Sequence, residues 1–453
     1  MNAMGRALAA APLLLAGLAT GAEAGTTDVS LEKEVTRYLA SAQGSTGDMT
    51  FKVYYKEGLT AETSDKAFKV VVGGRTMLDW FWKSPDDTLE GDFSGIGEDG
   101  VTFRRVRVHV KGTLFKNIEF VSEFELAGTE SAVTSVSTTR DADGDVTAVS
   151  TSTVRVGSVQ FRDVYIAVKA VPGVGNFRVG HFKEPMGLEE LTSSRYITFM
   201  ERSPITNAIA QGFNTGFMVH NAALEERLTW AVGLFRQTPE AGGGTDEDGA
   251  YALSLRVTGL VVQDEERNLL VHAGFSFSLR DPSGGRARFR ARPSVATGPR
   301  VVDTGNVACD TFSTLGFEVA VVYGAFSFQA EYLMAELDTA GDPSVGGFYV
   351  MLSFWLTGES RPYEASKGTF GRVKPKSNFH DGSGGWGAWE VAVRLTDVDF
   401  NDGAVMGGEF LDWVFGVNWH LNPQARVMFN FVFVDVDGSG QMNVFQMRFQ
   451  IDF

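Results

Sequence analysis

One cysteine, six histidines and thirteen prolines among 453 residues remove several protein classes at once. Cys309 stands alone, so a disulfide framework is excluded even if the chain is exported to a compartment that permits one. Scattered histidines with a single thiol supply no zinc-ligand spacing, and neither structural metal nor cofactor is expected. No later segment reaches the roughly 18 consecutive apolar residues of a spanning helix, which excludes a helical membrane protein. Catalytic signatures are missing too: no Ser-His-Asp spacing, no phosphate-cradling glycine loop before a helix and no paired catalytic carboxylates stand out. The chain is not expected to be an enzyme. A net charge of −16 argues against nucleic acid as a partner.

What is present begins with a leader. Arg6 precedes an apolar run from Ala7 to Leu18, and Ala22-Glu23-Ala24 stands before Gly25. This is the basic start, short apolar core and small-residue cleavage pattern of a secretory signal peptide over residues 1–24. Residues 25–48 are polar, and Ser30-Leu31-Glu32-Lys33-Glu34 begins like a capped helix running toward Ala42. It reads as a periplasmic tether or an oligomer helix, with disorder as the alternative.

From Met49 to Phe453 the period is two. Phe445, Met447, Phe449, Ile451 and Phe453 alternate with Gln446, Arg448, Gln450 and Asp452. Leu411, Trp413, Phe415, Val417 and Trp419 repeat the pattern, as do Val427 to Phe433, Val271 to Leu279 and Tyr251 to Val257. One face of each segment is oily and the other is polar and glycine-rich. A half-buried soluble sheet and a barrel wall between lipid and water both have such faces. Repetition over the whole chain with no covering helices favours an all-β transmembrane antiparallel β-barrel, and a soluble sandwich array is the other reading. Seventeen stretches alternate, and an even count is the rule for single-chain bacterial barrels, so about 16 wall strands are expected with 49–57 the weakest candidate. Tight turns at 172–175, 422–423 and 437–440 should face the periplasm, with long loops at 129–152, 281–310 and 358–385 outside.

Between Lys183 and Phe213 the rhythm breaks for about 30 residues that mix aromatic and charged side chains, the character of a functional loop. It is read as a loop folded inward to narrow the pore; an ordinary surface excursion is the plainer possibility.

An overall negative charge leaves open where the cations sit. Arg105, Arg107, His109 and Lys111 share one face of their segment while Val106, Val108 and Val110 share the other, so the basic row should line the lumen. Glu119, Glu123 and Glu125 share a face of the next segment and should pair with part of it. Arg286, Arg288, Arg290 and Arg292 recur at period two with no acid between them, either a ladder for anions or a solvated loop binding lipopolysaccharide phosphates. Planar guanidinium forks match phosphate oxygens and keep their proton at physiological pH.

The stretch from Gly180 to Ser194 with Glu201-Arg202 resembles the signature of phosphate-selective porins O and P. So do Gly73-Gly74-Arg75, Phe103-Arg104-Arg105, Ala330 to Leu333, Leu356 to Tyr363, Gly387 to Val391 and Gly416 to Trp419, in order over nearly the whole mature chain. The resemblance implies a sixteen-stranded trimeric porin of the Gram-negative outer membrane. It passes small phosphate-like anions passively, amid lipid and lipopolysaccharide. It also implies an extracellular ladder of Arg286, Arg288, Arg290 and Arg292 leading to a constriction near Arg75, Arg104, Arg105 and Arg202. Strand parity satisfies Arg105 and puts Arg104 on the wrong face unless the strand starts or bulges there. Two departures weaken the case for phosphate as the particular substrate: Glu190 replaces a family lysine, and 335–345 has no exit lysine. The competing expectation is a non-selective, structural or adhesive barrel whose basic loop binds lipopolysaccharide.

Overall fold

The computed structural model describes residues 50–453 apart from 128–129, 141–145, 158, 245–248, 381 and 383. The leader and the tether expected before Met49 lie outside the described residues.

Sixteen antiparallel strands close into one wall. They are β1 (Phe68–Pro85), β2 (Gly100–Leu114), β3 (Ile118–Glu125), β4 (Gln160–Val171), β5 (Gly175–Lys183), β6 (Phe213–Ala223), β7 (Leu228–Arg236) and β8 (Tyr251–Asp264). Then come β9 (Leu269–Arg280), β10 (Phe312–Tyr323), β11 (Phe326–Leu337), β12 (Ser344–Trp355), β13 (Ala388–Asp402), β14 (Val405–Asn422), β15 (Ala425–Val436) and β16 (Gly440–Asp452). Each strand pairs with its chain neighbours, and β16 returns to β1 with Asp452 opposite Arg75 and Met442 opposite Pro85. Phe453 exchanges both backbone hydrogen bonds with Gly74, at 2.7 and 3.0 Å. Closure leaves no strand edge unpaired in the wall, which hydrocarbon demands because it offers the backbone no partners. Where β16 ends, the short strand Leu59–Thr63 continues the pairing along β1, with Thr60 opposite Val71. The weak first stretch is thus not a wall strand. The stretch at 153–171 also divides: Val146–Gly157 pairs with Glu130–Arg140 in an external hairpin, and only Gln160–Val171 joins the wall.

The alternation sorts faces as the pattern requires. On β16, Phe449 and Ile451 are 45% and 52% exposed to the outside, whereas Gln446, Arg448, Gln450 and Asp452 are at most 5% exposed within the lumen. Toward the other end of the same strand the inner face turns apolar at Met442 and Val444. These join Val432, Val434 and Phe410 in a core against the loop helix Pro204–Ile209, through Ile205 and Ile209. Part of the lumen is therefore filled with apolar side chains.

Two expected orientations are wrong. The short turn 437–439 falls at the outer end, with 184–212 and 281–311, and not at the periplasmic one. Strand alternation puts 356–387, between β12 and β13, at the end that carries the short turns 115–117, 172–174, 324–325 and 423–424. That end is periplasmic, so this long loop rises into the barrel from below rather than lying outside.

Candidate anion-conducting site

Residues 184–212 run from β5 to β6 and fold inward, held to the inner wall by buried bonds. Glu184 accepts from Asn214 Nδ2 (2.7 Å), Ser254 Oγ (2.6 Å) and Arg280 Nη1 (2.7 Å). The backbone N–H groups of Leu188 and Glu189 donate to Glu331 at 2.9 and 2.7 Å. Gly187 precedes them at φ 71°, a left-handed conformation in which a Cβ would also stand 2.8 Å from Glu331 Oε2. Further along, Met200 N donates to Asn430 Oδ1 (2.9 Å), and Asn418 Nδ2 donates to the Thr198 carbonyl (2.8 Å).

Arg104 resolves its parity conflict through a bulge. In the β1–β2 register Met77 faces Arg105 while Leu78 faces Phe103, so Arg104 has no opposite number. An extra residue in one strand turns two successive side chains to one face. Arg104 forks onto Glu201 of the inward loop, with Nε and Nη2 each 2.8 Å from a carboxylate oxygen. Arg448 shares Glu201 (2.9 Å) and holds Asp79 through two 2.6 Å bonds. Burial pushes the Glu201 carboxyl up, but Arg104, Arg105 and Arg448 outweigh it and hold it well below the ordinary carboxylate range.

Arg105 differs from its neighbour. It is 3% exposed, touches Met77 Sδ at 3.5 Å, and its Nε has no partner. Among the described residues no carboxylate stands within ion-pair distance of it. A buried cation without a partner carries a desolvation cost that an entering anion removes.

Arg202 is spent on the loop itself, donating to the carbonyls of Glu189 (2.9 Å) and Thr192 (2.9 Å) and pairing with Glu190 (3.2 Å). Glu190 also takes Lys183 at 2.7 Å. Burial works against its charge, yet Arg202 and Lys183 together lower its proton affinity. The carboxylate that replaces the family lysine is thus neutralised where it sits, and it occupies two cations in doing so. Arg75 donates to Ser194 Oγ (2.9 Å) and pairs with Glu123. Arg107 pairs with Glu123 (3.0 Å) and Glu125 (2.5 Å), the cross-strand pairing expected of those acids.

Above this level the arginine loop packs its small and aromatic residues inward. Ala287, Phe289 and Ala291 lie in the apolar core, while Arg286, Arg288 and Arg290 are exposed. Short pairings of Arg290 with Asp303 and Arg286 with Ala308 keep the segment extended. Ser294 pins its end: N and Oγ donate to Asp412 at 2.8 and 2.9 Å, and Oγ accepts from Arg394 (2.7 Å). The ladder is not free of acid, because Asp303 crosses to Arg288 with a 2.7 Å bond from Nε. That bond, then burial working the other way, leaves Asp303 below its usual value. Burial, followed by the charges of Arg104 and Arg290, lowers the proton affinity of Arg292, so Arg292 lies in the field of Arg104.

Below the inward loop a cavity of about 660 Å³ is lined by eleven Lys and Arg side chains against three Asp and Glu. Arg75, Arg107, His109 and Lys111 form one wall, and Lys69 and Lys169 stand near the periplasmic strand ends. Lys367 enters from the rising loop, which is fixed by Arg256 Nη2 donating to the Gly368 carbonyl (2.8 Å) and by a 2.6 Å bond between Tyr363 and His272.

Residues 84–453 match the family described as phosphate-selective porin O and P. The chain belongs to this family. As a porin it resides in the outer membrane of a Gram-negative bacterium. It is 26% identical over 441 residues to Porin O of Pseudomonas aeruginosa, covering 88% of this chain and 91% of that one. It is 28% identical over 320 residues to an uncharacterized protein of Caulobacter vibrioides, covering 65% and 62%. In fold the porin is similar to the loop L8 deletion mutant of OmpT, an outer membrane protein of Vibrio cholerae. That match has a TM-score of 0.50 at 13% identity over 85% of this chain and 100% of that one.

Several lumen cations of this porin escaped the sequence reading. Arg448 stood in the quoted polar face of the last strand, and its alternation carried the signal. Lys69, Lys169 and Lys367 gave none, because their value depends on which strand ends and loop surround the cavity.

Proposed function

We propose that this porin passes phosphate-like anions by passive diffusion. Anions meet Arg286 and Arg290, move by Arg292 to Arg104 and Arg105 at the constriction, and leave through the cavity edged by Lys69, Lys111, Lys169 and Lys367. Arg75 and Arg202 serve the narrow part as loop-setting cations, and Arg288 contributes when it is released from Asp303. The observation that carries this reading is the cationic excess of the cavity lining, eleven to three, in a chain whose overall charge is −16. The lining stays positive after Glu190 is set against Lys183 and Arg202 and Glu318 against Arg256. A concave, low-dielectric wall of one sign concentrates the opposite ion. No catalysis and no cofactor enter the proposal. A homotrimer, surrounding lipid and lipopolysaccharide, and a cleaved leader over residues 1–24 belong to it as well, resting on the family and the sequence.

The burial of Ala287, Phe289 and Ala291 supports a ladder held toward the lumen over a loop reaching for lipopolysaccharide. Planar-bilayer recording tests the reading. The expected results are a reversal potential that favours chloride over potassium in a salt gradient, and block of the chloride current by added phosphate. A reversal potential at zero would refute it.

A further inference from the structure

A second, smaller cavity lies beside the basic chamber, with Arg195 lining both, and the proposed permeation route does not use it. It measures about 20 Å³ and is bounded by the inward loop at Tyr196–Thr198, the rising loop at Arg361 and Arg372, and the wall at Trp355, His420 and Arg426. That size admits one water or one monatomic ion.

Its lining has donors to spare. Trp355 is 2% exposed and its indole N–H has no acceptor; His420 is 8% exposed and its Nε2 has no partner. The two rings stand 5.1 Å apart. Indole and guanidinium groups donate and never accept, so the occupant that satisfies them is an acceptor. The carboxylates at the cavity are already engaged: Asp452 by Arg372, and Glu390 by Asn418 Nδ2 at 2.7 Å. Arg426 spends Nε on Gln450 (3.0 Å) and Nη1 on the Ile197 carbonyl (2.8 Å), yet its charge has no carboxylate in contact. Four lining arginines stand against two lining acids, and with Glu57 pairing Arg372 at 3.5 Å as a third carboxylate the cavity is still positive.

We propose that this cavity is a halide site. A chloride ion there accepts from the Trp355 indole and, in its Nε2–H form, from His420, and it offsets the excess guanidinium charge. Because three separate elements meet at the cavity, the ion fastens the rising loop to the inward loop and to the wall. The site is independent of which anion permeates, and failure of the halide test leaves the permeation route untouched.

Thermal unfolding of the detergent-purified full chain in sodium chloride or bromide, against sodium gluconate at equal ionic strength, tests the site. The expected result is a saturable rise of the midpoint with halide that Trp355→Phe loses. A midpoint indifferent to halide overturns the proposal. So does a Trp355→Phe protein that keeps the full response, since the basic chamber would then be its source. Should that variant fail to fold, bromide-soaked crystals of the unaltered protein decide the matter. An anomalous peak between Trp355 and His420 supports the site, and water density without anomalous signal overturns it.

Discussion

Arg104 and Glu201 are joined by a two-pronged ion pair, both prongs 2.8 Å long, that ties a bulge in the wall to the loop crossing the lumen. The bulge frees Arg104 to turn inward, and Glu201 gives it a fixed address. Loop and wall are thereby locked together where the loop enters the lumen.

The lock should survive acid. Glu201 is held well below the ordinary carboxylate range because its arginine neighbours outweigh burial. A carboxylate lowered in the folded state contributes stability above its unfolded pKa of about 4.3, and that contribution disappears only as pH falls through the folded value. Single-channel conductance is therefore expected to stay constant from pH 7 to about pH 4. Glu201→Gln should lower the thermal midpoint and release two arginines to the permeating ion, raising anion preference in reversal-potential measurements.

Arg105 should outweigh Arg288. The first is buried without a carboxylate, whereas the second is bound to Asp303. Arg105→Gln is expected to cut the chloride-to-potassium permeability ratio about fivefold, a change of about 1 kcal/mol. Arg288→Gln should leave it almost unchanged, and Asp303→Asn should raise it. Arg288→Glu with Arg290→Glu reverses the sign of two rungs and should weaken anion preference measurably.

Glu190 restrains the site by occupying Lys183 and Arg202. Glu190→Gln keeps the shape and returns both charges to the chamber. Phosphate should then half-block the chloride current at a concentration several-fold lower. An unchanged blocking curve would show that these two cations lie off the path.

Lys367 sits on the loop that enters from the periplasmic end. Lys367→Glu should slow anion release there and make the current–voltage curve asymmetric, with little effect on thermal stability because the side chain is exposed and its partner Glu364 is nearby.

Much of this was legible in the sequence, and the failures have physical causes. Alternation at 445–453 and 411–419 predicted the wall, because each side chain meets either lipid or lumen. Parity alone put Arg105, Arg107, His109 and Lys111 on the inner face, where the strand carries them. It could not place Arg104, since a bulge is a property of two strands in register. Asp303 lies fifteen positions from Arg288, and only the fold of the loop brings them together. The sidedness of 356–387 was misread because a long loop suggests the outside. Its place follows from counting strands, and loop length was read in place of that count.

The apolar packing within the lumen has a practical meaning. With Met442, Val444 and their neighbours packed together, the open chamber lies beside β1 to β8. A tag or fluorophore introduced on the opposite flank should sit next to the stream without obstructing it, which makes that flank the place to build a sensor.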